Sequence, residues 1–268
     1  MRSNQILTSL LALPLMVACL GAHAACELRV GYTDQDVPPY YMGAGAREAS
    51  PPGASIELIR EMAGVAGCSI VTTRLPPLRL VAAVEAGKLD ALPLGLPPNE
   101  SVPLVYPLDK NGRIDREHSM QMHTMIFVRA ADKLARDGDP MRVLQGKRVG
   151  TTHGATYAAT LRQYGFEVDD GATDTRRNFE KLLRQRTDAF AISLANPGDM
   201  DAVVASQYGG DITRLDKPIR VANIWFPVSR AFFAEHREQA EAMWAWLGAH
   251  GSARFAQLLK KYDRDAGG

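Results

Sequence analysis

The sequence predicts an α/β protein built as two lobes, and three observations carry the prediction. Strand-like and helix-like apolar periodicities alternate along almost the whole chain, the pattern of β-α-β units with parallel sheets. The alternating series runs twice, with a proline-rich stretch between, which points to two sheets. The chain, at 268 residues, is also long for a single hydrophobic core.

The first series opens with an apolar strand over 28–33. Ser55 is placed to cap a helix whose residues Ile56, Ile59, Met62, Ala63 and Ala66 share one face, and Gly67 fits its end. A strand over 69–75, a helix over 78–86 stopped by Gly87, and a strand over 89–94 complete two β-α-β units. From 93 to 119 the pattern loosens, because Pro93, Pro97, Pro98, Pro103 and Pro107 leave no room for a long regular element. A strand is expected over 123–129. The second series follows as strand 148–152, helix 155–164, strand 166–168, helix 175–186 and strand 189–193. Asn196-Pro197 reads as a helix cap followed by proline at the first helical position. Strands over 212–215 and 224–228 precede two terminal helices, the last marked by the stripe Phe255, Leu258, Leu259, Tyr262.

The N-terminus reads as an export signal. Arg2 precedes an apolar run from Ile6 to Leu20 broken only by Thr8, Ser9 and Pro14, and Ala22-His23-Ala24 forms an A-x-A cleavage site. The run is short for a membrane span. A rival reading takes Cys19, in Val17-Ala18-Cys19, as a lipidation site; Met16 stands where such a site usually has leucine, and the A-x-A triplet is better formed. Cleavage after Ala24 predicts a soluble periplasmic protein. With 31 basic and 30 acidic side chains the charge is nearly balanced, which argues against nucleic acid or an anionic membrane as partner.

Beyond the leader only Cys26 and Cys68 remain. Each sits just before a predicted strand, and a right-handed β-α-β unit makes those strands parallel neighbours. Both cysteines then lie at the same sheet end, and an oxidising compartment favours a disulfide between them.

Several stretches, in order, resemble the bacterial extracellular solute-binding proteins of family 3, which include amino-acid receptors of ABC importers. They are Leu28-Arg29-Val30-Gly31 with Pro38-Pro39-Tyr40, then Val84-Glu85-Ala86-Gly87-Lys88-Leu89-Asp90-Ala91. In the second half they are Leu144-Gln145-Gly146-Lys147-Arg148-Val149-Gly150, Gly154-Ala155-Thr156-Tyr157, and Leu183-Arg184-Gln185-Arg186-Thr187-Asp188-Ala189. The resemblance implies a two-lobed, type II periplasmic-binding-protein fold with two crossover strands near 124–129 and 223–229. Lobe 1 would comprise 25–126 plus 226–268, and lobe 2 residues 127–225. It further implies a usually monomeric receptor that closes on a small polar ligand and serves an ABC permease or a sensor protein, with no cofactor. In open α/β sheets such ligands bind beyond the carboxyl ends of the strands, where helix N-termini near Gly154, Thr156 and Asn196 offer N–H groups.

The sequence departs from the family's amino-acid clamp at both ends. The arginine that would pair with a ligand carboxylate belongs near Val102, yet 97–106 contains none; the aspartate for the ammonium is replaced by Ser193. Losing two opposite charges together is self-consistent, because one left alone in a buried site is costly. Arg79 is the candidate substitute for the anion-binding arginine. Tyr40 and Tyr41 are placed where the family's aromatic wall lies, and Asp34, Thr152, Thr156 and Ser193 are candidate polar contacts. Arg176 and Arg177 read as a solvated helix end.

Two other chemistries are weighed. His118, Met120, Met122, His123 and Met125 carry soft ligands suited to copper, but strand alternation splits them over two faces. An enzyme is the rival class, since cyclohexadienyl dehydratases resemble the same family. Glu57, Glu85, Asp188 and His153 are the available acids and bases, yet nothing pairs them, and no G-x-S-x-G, H-E-x-x-H or phosphate loop is present.

Overall fold

The computed structural model describes residues 26–96 and 102–265, with the side chains of 263–265 left undescribed. The export signal, the lipidation alternative at Cys19, and Pro97 and Pro98 lie outside the described residues.

In chain order the elements are β1 (Cys26–Thr33), α1 (Ala54–Val65), β2 (Cys68–Leu75), α2 (Pro77–Glu85), β3 (Leu104–Val105) and β4 (Met120–Arg129). Then come α3 (Pro140–Val143), β5 (Arg148–Thr152), α4 (Ala158–Gln163), β6 (Glu167–Ala172), α5 (Thr175–Leu183), β7 (Ala189–Leu194) and α6 (Asp201–Tyr208). The chain continues through β8 (Ile212–Arg214), β9 (Arg220–Ile224), β10 (Val228–Ser229), α7 (Arg230–Glu235), α8 (Arg237–Trp246) and α9 (Ser252–Asp265). No helix among the described residues is long and apolar enough to cross a membrane.

Two sheets form, and they share one design. In the second the order is β6-β5-β7-β4-β8, with β5 parallel to both neighbours and β4 antiparallel to β7 and β8. In the first, β2 and β1 run parallel, Ala91 bridges Val30 in parallel and Val228 in antiparallel fashion, and β10 pairs antiparallel with β3. Each sheet therefore has three parallel segments and an antiparallel fourth that returns from the other half of the chain. β4 and β9 form an antiparallel ribbon from Met120↔Ile224 to Thr124↔Arg220 that connects the sheets. The molecule is two α/β lobes joined by two crossover strands, as the alternating pattern and the resemblance predict.

The cysteine prediction holds. Cys26 and Cys68 are register partners at the start of β1 and β2, with Cα atoms 4.5 Å apart, and they are bonded. Apolar periodicity also places α1 correctly: Ile56, Ile59, Met62 and Ala63 are buried. The α9 stripe, Phe255, Leu258, Leu259 and Tyr262, is buried and packs on α1. In the second lobe Phe179 of α5 meets Phe127 and Phe190 edge-on, with ring centroids 5.4 and 5.1 Å away.

Four local expectations are corrected. Ser55 does not cap α1; Gly53 does, at φ 106°, and the first helical N–H groups bond the carbonyls of Pro39 and Tyr40. A Cβ on Gly53 would lie 2.4 Å from the Tyr40 carbonyl oxygen, so the close approach demands glycine. The strand over 89–94 shrinks to isolated bridges at Ala91 and Leu94, because Pro93 between them has no N–H to give a ladder. Pro227 likewise splits the strand over 224–228 into β9 and β10. Asn196-Pro197 opens a turn, not a helix: the Asp199 carboxylate takes the Asn196 N–H, and α6 starts only at Asp201.

Candidate functional site

The loop after β1 touches the carboxyl ends of strands in the opposite lobe at two places. Gln35, 8% exposed, donates from Nε2 to the His153 carbonyl just past β5, at 2.7 Å. Tyr40 donates its hydroxyl to Asp199 Oδ2 at 2.5 Å and accepts the Ala195 N–H, just past β7, at 2.8 Å. A third approach joins the end of β2 to the end of β5: a Cβ on Gly154, whose φ is 72°, would lie 3.1 Å from Pro77 Cβ. The lobes are thus in direct contact along one line of strand ends, where ligands bind in open α/β sheets.

The loop that makes these contacts is held from beneath by Arg74, which the sequence reading did not single out. Arg74 is 4% exposed, and all five N–H donors of its guanidinium reach backbone carbonyls, those of Thr33, Gln35, Met42, Gly43 and Arg47. The same group lies 5.4 Å above the Tyr32 ring, and Tyr32 stacks on Tyr41 at 5.6 Å. Arg74 is therefore saturated by the protein. The Tyr32 hydroxyl donates to Glu48, which also accepts from Thr72 and Arg60. Burial, with the Glu48 charge beside it, pushes the Tyr32 phenol up to about 12. Burial raises the Tyr41 phenol as well, partly offset by its hydrogen bond with Ser55.

The predicted site residues fall into three groups. Asp34 follows β1 and is half-buried, Thr152 ends β5 and is 6% exposed, and Ser193 lies near the end of β7, opposite Thr124. All three stand at or just past the carboxyl ends of parallel strands. Arg79, in the first turn of α2, and Thr156, before α4, are exposed near the Pro77–Gly154 approach. Among the described residues no side-chain partner engages the Arg79 guanidinium. The tyrosines form the third group. Tyr40 is buried at 4%, packs on Phe255 at 5.8 Å, and its hydroxyl is taken up by lobe 2, while Tyr41 is packed against Tyr32. The helix expected from Ala155 begins only at Ala158, because Ala155–Tyr157 closes as turns onto the Thr152 and Ala155 carbonyls.

The place near Val102 where the family's arginine belongs is core: Val102 is 5% exposed and clusters with Leu104, Tyr106 and Trp225. Arg176 and Arg177 pair with Glu180 and Asp174 at the α5 surface. His118 is engaged with Asp115 and His123 with the Ala195 carbonyl. The acid and base candidates are dispersed. Glu57 accepts from Lys261 and Tyr262, Asp188 from the Arg148 N–H, His153 Nδ1 faces the Asp170 carbonyl, and Glu85 is exposed. Among the described residues no group of three or more His, Cys, Asp or Glu side chains is arranged to hold a metal ion.

No family model matches the chain, and no curated protein does. Solved structures do. The GluR0 ligand-binding core from Nostoc punctiforme in complex with L-glutamate superposes with a TM-score of 0.63 at 18% identity, covering 88% of this chain and 98% of that one. The amino acid ABC transporter substrate-binding protein AbpA from Streptococcus pneumoniae, bound to L-arginine, gives 0.63 at 13% identity, covering 89% and 94%. A histidine kinase sensor domain with similarity to periplasmic binding proteins gives 0.62 at 17%, covering 88% and 95%. At these identities the likeness establishes the fold: the chain has the two-lobed architecture of type II periplasmic binding proteins.

Proposed function

We propose that this protein is an exported, periplasmic, non-catalytic receptor that captures a small polar ligand between its lobes and presents it to a membrane partner, an ABC permease or a sensor protein. One observation supports the reading above others: the loop after β1 reaches the strand ends of the opposite lobe, Gln35 bonding the His153 carbonyl and Tyr40 bonding Asp199. The crossover ribbon of β4 and β9 supplies a hinge about which such lobes close.

The ligand contacts we assign are Asp34, Thr152 and Ser193 at the strand ends, with Tyr41, Arg79 and Thr156 at the rim. Arg79 is the group suited to an anion, since its guanidinium offers a planar fork and has no side-chain partner among the described residues. An organic anion or an amino-acid-like molecule fits this set. A standard α-amino acid would need its ammonium partner rebuilt, because Ser193 replaces the aspartate.

A thermal-shift screen of the protein cleaved after Ala24, against amino acids, carboxylates, amines and small peptides, tests the reading. A ligand at one hundred times its Kd stabilises by about 2.7 kcal/mol, which for a chain of this size raises the Tm by roughly 5–11 °C. A carboxylate hit that Arg79→Ala abolishes supports the assignment. Silence across all four classes would sink it, and turnover of a hit compound would move the protein to the enzyme class.

A further inference from the structure

We propose that the Tyr40 phenol and the Asp199 carboxylate form the latch that holds the two lobes together, so that Tyr40 is a positioning residue for capture. The inference rests on the capture reading above, and on the geometry of a single oxygen. Tyr40 leaves the loop after β1, in lobe 1, where its backbone carbonyl receives the Ser55 N–H and its ring packs on Phe255 of α9. Its hydroxyl oxygen crosses the cleft and meets two groups of lobe 2, accepting the Ala195 N–H and donating to Asp199 Oδ2.

The lobe 2 side is prepared for that oxygen. Asp199 Oδ2 also accepts the Asn196 N–H at 2.8 Å, and Oδ1 accepts from Asn196 Nδ2 at 3.0 Å. The carboxylate is thus oriented by its own turn, and the phenol of the opposite lobe bonds the same Oδ2 that takes the Asn196 N–H. A hydroxyl suits this place because it donates and accepts at once. Backbone N–H and carboxylate, both at the β7 end, are then satisfied together by one atom from the opposite lobe. The buried ring keeps the oxygen in position, since moving it would break the packing against Phe255.

The latch also bears on what the cleft holds. Asp199 is the first acidic side chain after Ser193, where the ammonium partner is missing, and it is occupied by Tyr40 and Asn196. A ligand ammonium would have to displace the phenol and open the latch. Closure with the latch intact therefore favours ligands that carry no ammonium at that end.

The test uses nitroxide labels on Glu85→Cys and Gln163→Cys, one in each lobe and both exposed, in the full disulfide-bonded protein. Pulsed electron resonance reads the distance distribution between lobes. A hydrogen bond to a charged group is worth enough that Tyr40→Phe should lower the closed-to-open ratio about tenfold, appearing as a longer-distance population. The ring is retained, so circular dichroism and the fold stay unchanged. Asp199→Asn should weaken closure as well, and the double variant should be no more open than Tyr40→Phe alone. Unchanged distances in both single variants, or effects that simply add, would overturn the latch. A wild-type protein that closes yet binds nothing in the screen would sink the capture reading and leave the latch standing. Ligand binding with Tyr40→Phe fully closed would sink the latch alone.

Discussion

Replacing both Cys26 and Cys68 with alanine should destabilise the protein by about 4 kcal/mol, from the chain-entropy cost of a loop of this length. The two residues are 42 apart in sequence and are already register partners on neighbouring parallel strands. The bond therefore adds little to the folded state, where the strand pairing closes the same loop. Its effect falls on the unfolded chain, which it prevents from expanding between β1 and β2. For a chain of this size the loss corresponds to a fall in Tm of roughly 8–16 °C. Urea unfolding followed by circular dichroism is the assay. The midpoint should drop, and the slope should rise because the uncrosslinked chain exposes more surface on unfolding. A loss below about 1 kcal/mol with an unchanged slope would refute the entropic argument. Labelling of two thiols in the denatured, unreduced wild type would refute the bond itself.

Arg74→Met should cost roughly 3 kcal/mol or more, because five carbonyls lose a charged donor in a buried setting; amide exchange across 34–47 should accelerate more than elsewhere. Arg74→Lys should recover only part, since an ammonium has three donors where the guanidinium supplies five, and full recovery would show that charge alone holds the loop. Glu57 predicts a pH dependence. Burial favours its protonated form, but the hydrogen bonds from Lys261 and Tyr262 outweigh burial and hold the carboxyl below its usual value. The stability it contributes is thus present above the ordinary carboxylate range and lost as pH falls through the lowered value. Glu57→Gln should lower Tm at neutral pH and converge with wild type in acid; parallel Tm curves would disprove the coupling between α1 and α9.

The parts of the candidate site legible in sequence are those governed by short-range rules. Asp34, Thr152 and Ser193 could be placed at strand ends because apolar runs mark where β1, β5 and β7 stop. Arg74 gave no signal, because a polar residue near a strand end reads as solvent-facing until the loop after β1 is folded over it. Asp199 gives no signal because its bonds with Asn196 are those of an ordinary turn, and only the approach of the opposite lobe brings Tyr40 to its carboxylate. The place of Tyr40 after β1 predicts an aromatic wall, while the direction of its hydroxyl depends on where β7 ends in the other sheet.

By itself the sequence determined the alternation of elements, the two lobes, the α9 stripe and the pairing of Cys26 with Cys68. Periodicity, chain length and parallel β-α-β connectivity are local or nearly local constraints, and they act before any long-range contact forms. Tertiary structure alone decided the caging of Arg74, the glycine demanded at position 53, the shrinking of the third strand to bridges at Ala91 and Leu94, and the meeting of Tyr40 with Asp199. Each depends on two backbone segments far apart in the chain arriving within hydrogen-bond or van der Waals distance, and no periodicity in either segment encodes that approach.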